Sequence, residues 1–356
     1  MKSTCLLEGK EKKKVLMIGP ARTVRGGVSA VVNNYYEAGL DRQVCLRYIA
    51  TMEDGSRIHK LIVALKAVLI FSRCVKDYDI IHVHMASDTS IYRKMIFIWI
   101  AVWRKKKIII HQHGGNIKEF YFHQCSPKKQ ERIRQTLKQA KKLLVIAPYL
   151  QDIFEQIVDK DKIIFLPNAI SVPEAVKKDY HQQKLLFLGR LCEEKGIGEL
   201  LEACEELHQE FGGMELYLGG TWEDSVLKQK ADELGEWVHQ LGWIGPDEKD
   251  KILRECNIFL LPSYFEGHPV SLLEGMAYGC ACIATDIGGV LQMLEHGEDG
   301  LVVPVKDTAA LKQAIKACLQ DSELQKKLGS AAAERIREQY DIQQNIQRLI
   351  GIYESV

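Results

Sequence analysis

The sequence predicts an α/β protein that contains two doubly wound parallel sheets. At 356 residues the chain is too long for one ordinary hydrophobic core. Short apolar strands alternate along it with helical segments of 3.6-residue apolar spacing, which is typical of parallel sheets covered on both faces. This alternation stops once, at the polar stretch 171–183, and then begins again. The pause indicates a linker between two domains.

The first half begins with a buried strand at Lys14–Gly19 that ends in a glycine-rich loop. Its other strands are expected at 78–84, 107–111, 142–147 and 163–167, with a helix at 130–140. The strands of the second half are expected at 184–189, 214–219, 238–241, 258–261, 282–284 and 300–303. We therefore expect a charged leader at 1–13, a first domain at 14–172, a linker at 173–183, a second domain at 184–339 and an amphipathic C-terminal segment at 340–356.

Composition indicates a soluble globular protein, with 46% hydrophobic and 27% charged residues. The net charge of +1 conceals a strong asymmetry between the halves. Residues 1–175 carry 30 Lys and Arg against 16 Asp and Glu, a balance of +14, whereas residues 176–356 carry 18 against 31, a balance of −13. The two halves therefore suit different partners.

The ten cysteines are scattered, with no Cys-x2-Cys pair and no metal-ligand spacing. This favours a reduced chain in the cytoplasm. The N-terminal stretch has charges but no apolar core of a secretory signal. The longest apolar runs, 61–72 and 95–103, are too short to span a bilayer.

Two glutamates, Glu266 and Glu274, follow the apolar run 256–263, which is typical of a buried strand. Residues after Pro269 suit a helix, so the loop and the helix start lie at the carboxyl end of a strand. In open α/β sheets ligands bind at that edge, because loop amides and helix N-termini point into it. Carboxylates accept charge-assisted hydrogen bonds, so an acidic residue at each end suits a ligand rich in hydroxyl groups. A sugar nucleotide has that shape.

These residues resemble the donor-binding half of family 4 glycosyltransferases of the GT-B fold. The likeness rests on Glu-x7-Glu after Leu-Pro-Ser263, on Ala284–Gly289 and on Gly297–Val302. It implies two Rossmann-like domains facing a central cleft, with the acceptor on the first and the nucleotide sugar on the second. It also implies a C-terminal helix that crosses back to the first domain, and transfer with retention of configuration.

The resemblance extends to the Gly-Arg-x4-Lys motif that contains Arg190 and Lys195. Two cations beside a diphosphate stabilise the negative charge that the leaving group gains as the glycosidic bond breaks. No metal and no other cofactor is then required. The alternative is a surface ion-pair cluster with Glu193 and Glu194.

In the family, Glu274 would accept the ribose hydroxyls, and Glu266 would contact the transferred sugar or stabilise positive charge at its anomeric centre. Pro269, Val270 and Ser271 would offer backbone groups to the sugar and the phosphate.

In the first half, Gly26 and Gly27 follow the first strand and can let the backbone approach the donor closely. The alternative is an ordinary strand-to-helix turn. Separately, Ser29 is a candidate cap of the helix. The family also carries a histidine that contacts the transferred sugar. His113 fits best because two glycines follow it, and His111 is the alternative. For His82 and His84 a structural role in the core is favoured.

Cations are concentrated in the first half. Six bracket the apolar helix at 93–107, and a second basic face is expected from Lys128, Lys129, Arg132, Arg134, Lys138, Lys141 and Lys142. Cations beside Trp and Phe suit an anionic membrane surface. For 95–103 alone, a buried helix with solvated flanking lysines is favoured. Nucleic acid is a weaker alternative, since no binding module accompanies the charge.

The sequence thus predicts a retaining glycosyltransferase with a UDP-sugar or, next, a GDP-sugar donor and a lipid-linked or polysaccharide acceptor. We expect it in the cytoplasm, peripheral at the inner face of the cell membrane, in the synthesis of cell-surface glycans such as capsule. One alternative is an inactive GT-B binding or scaffold subunit, which need not keep Arg190, Lys195, Glu266 and Glu274. A less favoured one is an NAD-dependent oxidoreductase, because no Gly-x-Gly-x-x-Gly opens either domain.

Overall fold

The computed structural model describes residues 6–7, 10–174 and 176–356. The chain forms two compact units. Unit 1 comprises residues 1–171 and 342–356, and unit 2 comprises residues 172–341. The charged leader expected at 1–13 lies mostly outside the described residues. The C-terminal segment 342–356 belongs to unit 1, so the chain leaves that unit once and returns to it.

Unit 1 contains a parallel sheet of six described strands. The short antiparallel pair β1 (Leu6–Leu7) and β2 (Lys10–Glu11) comes first, and the sheet strands are β3 (Lys14–Gly19), β4 (Cys45–Ala50), β5 (Ile80–Met85), β6 (Lys107–Gln112), β7 (Lys142–Val145) and β8 (Ile163–Phe165). Their order is β4-β3-β5-β6-β7-β8, so the order of the strands reverses between β3 and β5.

The helices of unit 1 connect these strands. They are α1 (Gly27–Glu37), α2 (Leu40–Gln43), α3 (Arg57–Cys74), α4 (Thr89–Trp103), α5 (Pro127–Leu137), α6 (Pro148–Glu155) and the C-terminal α13 (Ile342–Ser355). Helix α13 contacts α1, and Tyr35 Oη donates to Asn345 Oδ1 at 3.3 Å between them.

Unit 2 has the same layered construction. Its strands are β9 (Lys184–Leu188), β10 (Glu215–Gly219), β11 (Val238–Gly242), β12 (Ile258–Leu261), β13 (Ala281–Thr285) and β14 (Leu301–Val303). Its helices are α7 (Ile197–Glu210), α8 (Ser225–Glu233), α9 (Pro246–Glu255), α10 (Val270–Ala277), α11 (Thr308–Gln320) and α12 (Ser322–Gln339). The described strands are parallel in the order β11-β10-β9-β12-β13-β14, which reverses between β9 and β12 as in Rossmann folds.

The predicted fold class is confirmed, with two doubly wound sheets. The strand predicted at Lys14–Gly19 has its observed bounds, and the other predicted strands overlap observed ones. Strand β4 was missed because it lies at the edge of the sheet. Only Ile49 of its six residues is fully buried and Arg47 lies exposed within it, so it has no continuous apolar run. By contrast, every residue of β5 is buried between helical layers.

Among the described residues, no helix combines the length and the apolar character that a membrane span needs. Eight cysteines are free thiols, all of them buried. Cys45 is disulfide-bonded, so the prediction of a reduced chain is wrong at this residue.

Candidate functional site

The strongest candidate site in unit 2 lies where the strand order reverses. Strands β9 and β12 are neighbours there, with Ile258 registered against Leu185. Arg190 and Lys195 follow β9, and Glu266 follows β12. Because the carboxyl ends of parallel strands share one edge of a sheet, the two loops meet. That edge is where doubly wound sheets bind ligands.

The two loops are joined by an ion pair between Lys195 and Glu266. Lys195 Nζ lies 2.5 Å from Glu266 Oε1, and the two side chains are 17% and 15% exposed. The same carboxylate oxygen accepts a hydrogen bond from Ser263 Oγ at 2.9 Å. A carboxylate held by two donors at a partly open sheet edge is positioned to bind a polar ligand.

Arg190 lies on the same loop as Lys195 but has different partners. Its guanidinium lies 2.7 Å from Glu223 Oε2 and 3.3 Å from Glu194 Oε2, and half of the side chain is exposed. Burial, the largest single effect, opposes the charge, but Glu223, Cys192 and Glu194 together raise the pKa of Arg190 above its ordinary value. The ion pair with Glu194 is the one that the surface-cluster alternative expects, and the guanidinium stays accessible to an anion.

Glu274 lies on α10 and is paired with a lysine that sequence reasoning missed. Lys249 Nζ on α9 lies 2.5 Å from Glu274 Oε1, with the glutamate 15% exposed and the lysine 36%. Lys249 belongs to no motif, and 25 residues separate it from its partner. No signal in the sequence could have found this contact.

Two glycines allow the loops around Glu266 to approach each other closely. A Cβ on Gly196, whose φ is +67°, would lie 2.1 Å from the carbonyl oxygen of Pro262. A Cβ on Gly289 would lie 2.1 Å from the carbonyl oxygen of Gly267. The motif of Ala284–Gly289 therefore supports the Glu266 loop by backbone packing.

Tyr264 braces the same loops. Its backbone N–H donates to Glu194 O at 2.9 Å, and its hydroxyl donates to Glu199 Oε1 at 2.6 Å. The Lys306 ammonium lies 4.4 Å from the centre of its ring. Burial and Glu199 raise the pKa of Tyr264, so its hydroxyl stays a proton donor.

The first turn of α10 contains the other predicted backbone ligands. Pro269 is the N-cap, and Val270 and Ser271 are the first helical residues. The helix begins where the sequence predicts. No described side chain caps this end, so its N–H groups provide partial positive charge.

In unit 1, Gly26 is the N-cap of α1 and Gly27 its first residue. A Cβ on either would meet no described atom within 4 Å, so the space over this turn is open. Ser29 does not cap the helix, because its hydroxyl donates to the carbonyl oxygen of Ala21 at 3.0 Å. The capping prediction is therefore wrong.

His113 follows β6 in a loop packed on the end of β5. Its N–H donates to Met85 O at 2.7 Å, and its Nε2 lies 2.8 Å from His84 Nδ1. A Cβ on Gly114 would lie 2.4 Å from the backbone nitrogen of Ser87, which explains the glycine after the histidine. Burial lowers the pKa of His113 to about 3, so its imidazole is neutral. His111, the alternative, is completely buried.

The predicted surface position is wrong for one cation, Lys94. Lys94 was counted among the cations that bracket the helix at 93–107, but it is 2% exposed and its amine donates to Thr51 Oγ1. It lies on the face of α4 that also buries Phe97 and Ile98, which a tally of charges does not reveal.

Comparison with known proteins shows what unit 2 and the overall fold are similar to. Residues 171–335, which make up nearly all of unit 2, match the family model of glycosyl transferases group 1. A crystal structure of Anabaena HepE in complex with UDP and glucose superposes with a TM-score of 0.79 at 15% identity, covering 97% of this chain and 100% of that chain. The fold is that of GT-B glycosyltransferases, and unit 2 is similar to the group 1 family.

Curated relatives match about half of the chain. Phosphatidyl-myo-inositol mannosyltransferase of Mycobacterium leprae is 29% identical over 199 residues, 54% of this chain and 53% of that protein. N,N'-diacetylbacillosaminyl-diphospho-undecaprenol alpha-1,3-N-acetylgalactosaminyltransferase of Campylobacter jejuni is 31% identical over 172 residues, 48% of this chain and 44% of that protein. The chain thus spans about half the length of these relatives.

Proposed function

We propose that this protein is a retaining glycosyltransferase that moves a sugar from a nucleotide-sugar donor to a lipid-linked or polysaccharide acceptor in cell-surface glycan synthesis. The observation that carries the proposal is the pairing of Lys195 with Glu266 at the switch point of unit 2. A diphosphate needs a cation as its partner, and a sugar needs a carboxylate that accepts from its hydroxyl groups. This pair offers both.

In this proposal Arg190 and Lys195 bind the donor diphosphate and stabilise the leaving group, so that no metal is required. Because each cation already has a carboxylate partner, donor binding exchanges protein ion pairs for contacts with phosphate. Glu266, released from Lys195, then accepts hydroxyl groups of the transferred sugar or stabilises positive charge at its anomeric carbon.

At the other end of the donor, Glu274 accepts the ribose hydroxyls after separating from Lys249. The α10 N-terminus, with Pro269, Val270 and Ser271, offers N–H groups to the phosphate or the sugar. Gly26 and Gly27 leave room for the donor or acceptor beside unit 1, and His113 orients the transferred sugar. As a neutral imidazole it can donate or accept one hydrogen bond without adding charge.

We propose UDP as the favoured nucleotide and GDP as the next. Anabaena HepE is described with UDP, with UDP-glucose, and with UDP and glucose, which supports the first choice. The names of the two curated relatives describe acceptors that carry phosphatidyl-inositol or undecaprenol diphosphate, which supports a lipid-linked acceptor.

A lipid-linked acceptor agrees with an apolar surface on unit 1. Helices α3 and α4 contact each other, and together they expose large apolar side chains, 37–73% accessible: Ile58, Leu61, Ile62, Leu65, Leu69, Ile70, Tyr92, Ile96, Trp99 and Trp103. Neither helix contains an acidic residue, and α3 also exposes Arg57, Lys60, Lys66 and Arg73. We call this set the α3–α4 face.

Exposed contiguous apolar surface of this kind marks an interaction site, and the surrounding cations select an anionic partner. We propose that the α3–α4 face binds the anionic inner face of the cell membrane, with the basic residues of α5 beside it. Flotation with anionic liposomes tests this. We expect salt-sensitive binding, and its absence would refute membrane attachment.

The donor is tested by thermal shift with UDP, GDP, ADP and NAD, followed by nucleotide release from a panel of nucleotide sugars with lipid-linked acceptors. We expect UDP or GDP to stabilise the protein and the matching nucleotide sugar to be consumed. Stabilisation by NAD alone would favour an oxidoreductase instead. Nucleotide binding without turnover on any acceptor would favour an inactive scaffold subunit.

A further inference from the structure

Three buried histidines lie together on one face of the unit 1 sheet. His82 and His84 are two residues apart on β5 and therefore share a face, and His111 on β6 is registered against His84. All three are at most 1% exposed. Their ring centroids are 4.5 Å apart for His82 and His84, 5.2 Å for His84 and His111, and 5.5 Å for His82 and His111.

His82 and His84 each use one ring nitrogen, Nδ1, for a hydrogen bond. His82 Nδ1 is 2.6 Å from the Tyr353 hydroxyl of α13, and His84 Nδ1 is 2.8 Å from His113 Nε2. Among the described residues, Nε2 of both rings and both nitrogens of His111 have no hydrogen-bond partner of normal geometry, although the Leu166 backbone is near enough to raise the pKa of His111. Buried polar atoms without partners are rare and costly, so this concentration requires an explanation.

A divalent metal ion provides one. A ligand nitrogen from each of the three histidines lies within 4.8 Å of the other two. Zinc binds imidazole nitrogens at about 2.0–2.1 Å in a tetrahedron, which places two ligands about 3.4 Å apart. Ring rotations that bring the ligand nitrogens up to about 1.4 Å closer together would therefore complete the geometry. Ligating histidines use their other nitrogen for an orienting hydrogen bond, as His82 does with Tyr353.

We propose that His82, His84 and His111 bind a zinc ion that ties β5 to β6 and, through Tyr353, to α13. Three protein ligands leave the fourth position of the ion to a water molecule. The ion would belong to unit 1 and would hold neighbouring elements of it together. The site contacts the proposed donor site through His84, whose Nδ1 lies 2.8 Å from Nε2 of His113, the proposed sugar ligand. Zinc binding can therefore be tested without any nucleotide sugar.

The nearby charges do not oppose such an ion. Lys94 is the lysine whose charge acts on His84, and burial lowers the pKa of its amine far below the ordinary value. Its amine donates to Thr51 Oγ1. Imidazoles without thiolates or carboxylates favour zinc, copper or nickel over magnesium and calcium, so zinc is the ion to test.

The experiment uses the full chain without a histidine tag, stripped of metal by a chelator in mild denaturant and refolded. Cobalt(II) is added as a spectroscopic probe, followed by displacement with zinc chloride. We expect about one zinc ion per chain, intense visible bands of tetrahedral cobalt, and a higher melting temperature with zinc. His111→Asn should weaken zinc binding at least about 100-fold, and Tyr353→Phe about 10-fold, since it removes only an orienting partner.

His59→Gln is the matched control, because His59 is an exposed histidine of the same unit. It should bind zinc as the wild type does. Folded His111→Asn protein with undiminished zinc affinity would overturn the proposal. If that variant fails to fold, the wild-type cobalt spectrum decides: weak octahedral bands, or none, overturn the site.

Discussion

Lys195 Nζ lies 2.5 Å from Glu266 Oε1, so the proposed phosphate ligand and the proposed sugar ligand neutralise each other in the free protein. Arg190 with Glu223, and Glu274 with Lys249, repeat the arrangement. Because these charged side chains pair with one another in the free protein, the site avoids the cost of a half-buried charge without a partner. It must also exchange those pairs when a charged ligand enters.

The cations should affect turnover more than binding. We expect Arg190→Ala and Lys195→Ala each to lower kcat about 100-fold, because each removes a group that stabilises charge on the leaving group. The KM for the donor should change less. Steady-state kinetics measure both, and Lys251→Ala, which removes a lysine that is 78% exposed, serves as the control. Normal turnover in the Arg190→Ala/Lys195→Ala double variant would remove the leaving-group role.

Glu274 should act on nucleotide affinity. Glu274→Ala should weaken UDP binding about 10-fold or more in calorimetry, since a hydrogen bond to a charged group contributes about 1.5–3 kcal/mol. Lys249→Ala should tighten binding about two- to fivefold, because a half-exposed ion pair worth up to about 1 kcal/mol no longer competes with the ribose. Weaker binding by the Lys249 variant would instead make Lys249 a ligand of the nucleotide.

Gly289→Ala tests the support of the Glu266 loop. The added Cβ would meet the carbonyl oxygen of Gly267 at 2.1 Å, so the backbone that carries Glu266 must move. We expect a lower melting temperature and a loss of kcat of about 100-fold, as follows from a displacement of about 1 Å at reacting groups. Gly212→Ala, where a Cβ meets nothing within 4 Å, is the control. Unchanged kinetics for Gly289→Ala would show that the loop position does not matter.

The α3–α4 face should be the attachment site for liposomes. Replacing Leu61 and Leu65, which are 60% and 58% exposed, by serine should weaken flotation with anionic vesicles at least about 10-fold, because each leucine loses apolar burial in the lipid. Val226→Ser is the control on unit 2, where the valine is 75% exposed. Equal losses in both proteins would indicate nonspecific adsorption.

Acid should destabilise unit 1. Burial, with a smaller contribution from His113, lowers the pKa of His82 from 6.5 to about 3, and burial alone lowers that of His113 to about 3. The unfolded chain therefore binds more protons between these values, so stability is complete above pH 6.5 and falls as the pH drops towards 3. Thermal unfolding of metal-free protein between pH 7.5 and 4.5 measures this. His82→Gln should reduce the slope, whereas His59→Gln, at an exposed position, should not.

The fold could be predicted because buried strands are recognisable in the sequence by their short apolar runs. Strands such as Ile80–Met85 and Ile258–Leu261 are buried on both sides, so they are rich in apolar residues and easily recognised. The edge strand Cys45–Ala50 has no such run and was missed. Lys94 was misplaced for a related reason, since its burial depends on which face of α4 meets the sheet.

The candidate site was predictable only where residues form motifs. Arg190, Lys195, Glu266 and Glu274 stand at fixed spacings beside recognisable strands, and the structure brings Lys195 to Glu266. Their roles remain predictions. Lys249 and Glu223 are partners chosen by tertiary folding, and surface charges of this kind are abundant along the chain. Sequence spacing cannot single them out.

The N–H of Ile342 donates to the carbonyl oxygen of Ile170 at 2.9 Å. The residue at which the chain re-enters unit 1 is therefore hydrogen-bonded to a residue next to the point at which it leaves that unit. During synthesis, the ribosome must therefore release all of residues 172–341 before α13 can reach its place over β5. The nascent first unit stays incomplete, with His82 still lacking Tyr353, until α13 has been synthesised. The same adjacency makes it feasible to excise the whole insert genetically and join 171 to 342 with a short splice.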